Sequence, residues 1–248
     1  MTSMENNEAK SIFEHVGDLR KKLLIAVLAF TIGVIIAHIF NKEITALLLK
    51  PAGDQKLIFL SPLEPFLFIF KIDFIGGFIL SFPIIIGCIF SYINPILSKR
   101  VSNIVVFFYV TSTFLLFAGL LYAFFIMIPI TLKFLFSIKI PGIENSFSVE
   151  KYMSFLITQA IIIMSVFQLP VIIIGGISIG LLKTKIFKNK RRQIYIILLI
   201  ALAIITPTTD VFSLSVVFIP CMIIFEISLL GGKIVEYLKK KKRKKNWS

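Results

Sequence analysis

Six apolar stretches leave this chain little choice of solvent. They run approximately Leu23–Phe40, Ile72–Leu97, Ile104–Phe136, Tyr152–Leu182, Ile194–Ile205 and Val211–Leu230. With 57% hydrophobic residues and a mean hydropathy of +0.95, the 248 residues cannot bury that much apolar surface in a water-soluble core. About 20 apolar residues cross a bilayer core as a helix. The expected fold is an all-α membrane protein with six transmembrane helices.

Charge orients those helices. Once the stretches are treated as crossings, 20 of the 27 Lys+Arg residues fall on one side. They lie in the N-terminal tail, at Lys99-Arg100, between Lys183 and Arg192, and from Lys233 to Lys245. The other side keeps seven, balanced by seven acids. Basic residues near span ends stay cytoplasmic, so both termini are expected inside. This bias, together with contact to anionic lipid headgroups of the bilayer, accounts for the net charge of +14. No base-stacking module accompanies the charge, and nucleic acid is not an expected partner. The organisation expected is a cytoplasmic amphipathic segment over residues 1–22, a transmembrane domain over 23–230 with an extracytoplasmic cap over 41–71, and a basic cytoplasmic tail over 231–248.

Local patterns refine this layout. Ser11 and Glu14 form a capping box, which predicts a helix starting at Ser11 and lying along the interface before turning inward. Ile104–Phe136 would be roughly 50 Å long as a helix, so it must tilt, protrude or kink, with Pro129 the expected kink. Ile194–Ile205 would reach only roughly 18 Å, too short for an undisturbed bilayer core. The glycine pairs at 76–77, 175–176 and 231–232, and the Gly176-x-x-x-Gly180 spacing, read as packing devices.

Chemistry for catalysis is missing from the sequence. It holds no phosphate-cradling loop, no H-E-x-x-H metal site and no G-x-S-x-G elbow. His15 and His38 are far apart and have no carboxylate at ligand spacing. No cofactor site is legible, and the chain reads as a binding, conducting or scaffolding protein rather than an enzyme. Cys88 and Cys221 both fall in apolar stretches and read as small hydrophobes, not a disulfide. Polar residues inside the membrane carry more information, because they are costly there. Gln168 sits mid-span, two residues before Pro170, where an interhelical hydrogen bond or the carbonyl freed by Pro170 would satisfy it. Glu226 has Lys233 two turns away and the headgroups near, which makes a structural role its simplest reading.

At this point the residues carry a resemblance. Phe13-Glu14-His15-Val16-Gly17-Asp18-Leu19-Arg20-Lys21-Lys22-Leu23 resembles the H-L-x-E-L-R-x-R-L start of the TatC family, the multi-spanning core of the twin-arginine protein translocase. Ser61-Pro62-Leu63-Glu64-Pro65-Phe66 with Lys71 resembles T-P-x-E-x-F…K. Phe82-Pro83 with Tyr92-Ile93-Asn94-Pro95-Ile96-Leu97 resembles P…F-x-x-P-x-L. Gly119 to Phe124 and Pro129 resembles G-x-x-F-x-Y…P, and Phe167-Gln168-Leu169-Pro170-Val171 resembles F-E-x-P-V. Arg191-Arg192, Thr206-Pro207, Asp210, Pro220 and Glu226 close the series, so the match covers nearly the whole chain.

The resemblance implies a concave bundle with short fifth and sixth helices. It implies a receptor for Arg-Arg signal peptides of folded precursors, driven by the proton-motive force. It implies TatA- and TatB-like single-span subunits as partners, and copies of the chain itself within a larger complex. The location implied is the bacterial inner membrane, or an organellar inner or thylakoid membrane. Signal-peptide binding falls on Glu14, Asp18, Arg20, Tyr92, Pro95, Leu97 and Asn103. Intramembrane or assembly roles fall on Pro51, Glu64, Phe124, Gln168, Pro170 and Asp210. Three positions depart from the pattern: Asp18 replaces a Glu and keeps its charge, Val101 replaces a loop Glu, and Gln168 replaces an intramembrane Glu. A small secondary transporter with inverted three-helix repeats is the alternative. Unequal halves and the lack of a midplane charge pair count against it.

Overall fold

The computed structural model describes residues 2–53, 55–93, 102–138, 146–205 and 211–245; side chains are described for all of these except 2–16, 93, 102–105, 205, 213 and 240–245. Among the described residues it is an all-α protein but for one two-residue parallel pairing. Helices α1 (Thr2–Ile39), α2 (Asn41–Leu49) and α3 (Glu64–Ile93) come first, followed by α4 (Ser102–Tyr122) and α5 (Ile128–Ser137). Then come α6 (Val149–Phe167), α7 (Leu169–Ile179), α8 (Thr184–Asn189), α9 (Arg191–Ile205) and α10 (Val211–Lys245). Strands β1 (Leu57–Ile58) and β2 (Phe147–Ser148) pair Leu57 with Phe147. The chain forms two compact units, one built from Met1–Leu48 and Phe66–Thr113, the other from Leu49–Pro65 and Phe114–Ser248.

Among the described residues five segments are each long and apolar enough to cross a membrane: Gly17–Ile39, Glu64–Tyr92, Val106–Ser137, Val149–Ile179 and Leu214–Lys239. The short fifth crossing is α9, whose 15 residues span roughly 22 Å. Its polar first turn, Arg191 to Gln193, adds three residues to the stretch expected from hydropathy alone. Helix α10 is longer than expected, with 35 residues, because the Lys-rich segment stays helical to Lys245. Lysine is a good helix former, and cations at a helix C-terminus complement its dipole.

Helix α1 begins at Thr2 rather than at Ser11, and it runs unbroken through the expected turn into the membrane. Residues 2–10 hold no Gly or Pro to stop it, and Glu5 and Glu8 favour its positive end. In the first unit, α1 and α3 meet backbone to backbone. A Cβ on Gly33 would stand 2.6 Å from the Gly77 carbonyl oxygen, and one on Gly76 would stand 2.8 Å from the Ala37 Cβ. Small residues permit this approach, which replaces the hydrophobic drive that lipid does not supply.

In the second unit, the long third crossing contains a π turn, Ala123–Met127, directly before Pro129. The expected proline kink takes this form because Pro129 has no N–H for the carbonyl four residues back, and its ring crowds that carbonyl. The fourth crossing breaks at Gln168, which ends α6 and precedes Pro170 in the first turn of α7. Helix α7 packs closely on α10: Cβ atoms on Gly231 and Gly232 would stand 2.6 and 2.5 Å from Ile174 and Ile177. The Gly176–Gly180 pair does a different job from interhelical packing. Gly180 takes φ 91° in the left-handed region, and the Leu182 N–H bonds the Gly176 carbonyl at 3.1 Å. Those bonds form a helix C-cap, for which glycine avoids the strain of a side chain. Cys88 and Cys221 are both free.

Candidate functional site

The N-terminal motif and the end of α3 come together in the first unit. Asp18 and Arg20 are exposed on α1, and Asp18 lies one turn from Lys22. The Lys22 ammonium lies 5.7 Å from the centre of the Tyr92 ring on α3. That cation–π contact draws Lys22 away from the (i, i+4) pairing with Asp18 that a helix permits. Among the described residues Asp18 makes no ion pair. The result is an exposed carboxylate one helical turn from the lysine held on the Tyr92 ring, with Arg20 on the same stretch of α1. Pro95, Leu97 and Val101 lie outside the described residues. So do the side chains of Glu14 and Asn103, whose backbones belong to α1 and to the first turn of α4.

At the opposite end of the same two helices is a polar cluster that local spacing does not reveal. The His38 Nδ1 and an Asp73 carboxylate oxygen are 2.8 Å apart, and the Asn41 side-chain amide donates to the other Asp73 oxygen at 2.7 Å. Asp73 is buried while His38 is largely exposed. The carboxylate that His38 lacks in its own sequence neighbourhood therefore comes from another helix, 35 residues away.

The residues expected to serve assembly do not form one site. Pro51 sits in a 3₁₀ turn, Lys50–Ala52, and lines a cavity of about 480 Å³ with Gln55, Pro129 and Lys133. Glu64 is buried and accepts the Leu60 N–H at 3.1 Å, holding the chain into the first turn of α3. Phe124 lies in the π turn and meets Phe125 edge to face at 5.2 Å. Gln168 is half-buried at the α6–α7 break, its own N–H bonded to the Ser165 carbonyl at 3.1 Å. Asp210 lies outside the described residues.

Glu226 is structural, but not through Lys233. It accepts from the Arg191 guanidinium at 2.8 Å and from the Tyr195 hydroxyl, so α10 grips the first turn of the short helix α9. An Arg–carboxylate pair gains from geometry as well as charge. Nearby, the Lys239 ammonium donates to the last carbonyls of α7, with Ile177 at 2.9 Å. Glu236 accepts the Thr184 N–H at 2.7 Å. These contacts join α7, α8 and α9 to α10. Sequence reasoning could find only their ingredients, because each bond spans 31 to 62 residues.

Three comparisons place this architecture. The family model described as Sec-independent protein translocase protein (TatC) matches residues 14–220. A TatC protein of Aquifex aeolicus is 30% identical over 93% of this chain and 98% of its own length. A TatC-like protein of the alga Gracilaria tenuistipitata var. liui is 32% identical over 92% of this chain and 96% of its own. Crystal structures of the twin arginine translocase receptor TatC superpose with TM-scores of 0.76 and 0.79. They share 30% and 29% identity and cover 90% and 88% of this chain and 99% of theirs. With these matches and its long apolar helices, the chain belongs to the TatC family and is a multi-pass membrane subunit of the Sec-independent protein translocase.

Proposed function

We propose that this subunit is the receptor for Arg-Arg signal peptides, and that it binds them where the Asp18 stretch of α1 meets the Tyr92 end of α3. The observation that supports this most is the exposed Asp18 carboxylate, which makes no ion pair among the described residues and lies one helical turn from Lys22, itself engaged on the Tyr92 ring. A guanidinium is planar and offers paired donors, which a free carboxylate accepts in parallel and an aromatic face can stack against. Arg20 and the backbone position of Glu14 belong to the same stretch of α1, and that of Asn103 to the first turn of α4. Pro95 and Leu97 complete the proposed face by resemblance. Val101, in place of a loop carboxylate, leaves Asp18 and Glu14 as the acids for the two arginines.

Translocation in this proposal draws on the proton-motive force and on TatA- and TatB-like single-span partners. Pro51, Glu64, Phe124, Gln168, Pro170 and Asp210 serve that later stage. At Gln168 an uncharged amide stands where the family pattern has an acid, so the intramembrane step needs no titration there.

Both termini are proposed to be cytoplasmic, on the strength of the basic-residue asymmetry. In a variant with Cys88 and Cys221 replaced, new cysteines at Lys56 and Glu144 should react with an impermeant maleimide from outside. Cysteines at Lys99 and Lys188 should react only after the membrane is opened. The reverse pattern would move the proposed binding face to the wrong compartment.

The receptor role itself is tested by co-purification. A precursor with an Arg-Arg signal should be recovered with the membrane complex well above its Lys-Lys twin, since an ammonium cannot form the bidentate pair. Equal recovery of the two would sink the receptor reading.

A further inference from the structure

Gln159, on α6 of the second unit, is fully enclosed, and among the described residues neither its amide nitrogen nor its amide oxygen has a partner. One turn further along the same helix face, Ile162 and Ile163 pack in an apolar core with Ala123 and Met127. A primary amide offers two donors and an acceptor, and leaving all of them dry is strongly unfavourable.

The facing helix supplies a matching loose end. A Cβ on Gly119 would stand 3.3 Å from the Met164 Cα, and the rings of Phe136 and Phe147 are 4.8 Å apart. These contacts show that the two segments run antiparallel, and five residues along each helix from the Gly119–Met164 level, at the same rise per residue, put Gln159 level with about residue 124. That residue lies inside the π turn Ala123–Met127. There the Ile128 N–H reaches back five residues to the Ala123 carbonyl. The Phe124 carbonyl thereby loses its α-helical donor, and its π-helical donor would be Pro129, which has no N–H. An acceptor without a main-chain donor and an amide without partners among the described residues lie at one level along α6 and the π turn, where Ala123 and Met127 pack against Ile162 and Ile163.

We propose that this level is an internal water site, with the water bonded to the Gln159 amide and the Phe124 carbonyl. Buried waters typically make about three hydrogen bonds to groups otherwise left unsatisfied, and this pair offers both donors and acceptors. The site gives the π turn a purpose within the fold, and it places a polar point in a core that composition alone describes as dry.

Water-edited solid-state NMR of the full chain in phospholipid bilayers tests this directly, with the Gln159 side-chain amide assigned through its bonded neighbours. Polarisation from water should reach that amide as quickly as it reaches Gln193, which is exposed. Build-up as slow as that of the Ile163 methyls would overturn the proposal. The thermal midpoint of Gln159→Met gives a second reading with opposite signs. Loss of a bound water and its bonds should lower Tm by about 3 °C. If the amide is dry, removing it should leave Tm unchanged or raise it, and either result would overturn the site.

Discussion

Asp18→Ala is expected to weaken capture of an Arg-Arg precursor about tenfold, the loss of roughly one charge-assisted hydrogen bond. The carboxylate is exposed, so its removal leaves no unpaired buried group and should not disturb the fold. Tm should stay within about a degree of the parent, which separates a binding defect from instability. Val101→Ala removes no polar atom and should bind like the parent. Val101→Glu restores an acid at the position where the family pattern has one, and capture should tighten. Capture that ignored both Asp18→Ala and Val101→Glu would move recognition away from this end of the helices.

Gly77→Ala should have the largest effect on the fold. The added Cβ would stand 2.5 Å from the Val34 Cγ2 and 2.7 Å from the Val34 backbone nitrogen. A side chain can rotate away, but main chain in the middle of a helix cannot. The α1–α3 crossing must open, with a loss of about 3 kcal/mol, the upper part of the usual range for overpacking. In detergent that amounts to a fall of roughly 9 °C in Tm for a chain of this size. Gly17→Ala is the control, because a Cβ there meets nothing within 4 Å. A stable Gly77→Ala protein would mean that α1 and α3 are not held by this backbone contact.

Hydropathy and charge made the membrane class and the order of spans legible, and the motifs made the family legible. Both signals are local: an apolar run or a short motif keeps its meaning wherever the chain goes. The short fifth helix followed from counting residues against the bilayer. The polar contacts that hold the helices together were not legible. His38 and Asp73, or Arg191 and Glu226, are each 35 residues apart, and nothing in either neighbourhood names the other. The simplest local partner for Glu226 was Lys233 on its own helix. Arg191 won because α9 brings a guanidinium and the Tyr195 hydroxyl to the same carboxylate. Gly176 and Gly180 show the same limit. Their spacing fits a helix crossing, yet the chain uses them to end α7. At the proposed binding face, sequence placed Asp18 and Tyr92 in one list, and the fold adds that Lys22 is held by the ring.

The central claim is that Arg-Arg signals bind beside Asp18 and Tyr92. A photoreactive amino acid at Lys21, three residues from Asp18 and exposed, tests it most directly. Phe59, exposed in the segment read as extracytoplasmic, is the comparison position. On illumination of membranes with a stalled precursor, Lys21 should crosslink to the Arg-Arg signal peptide, and the adduct should vanish with the Lys-Lys twin. Phe59 should give no adduct with either. Adducts from Lys21 of equal yield with both precursors, or an Arg-Arg-dependent adduct from Phe59 alone, would contradict the account.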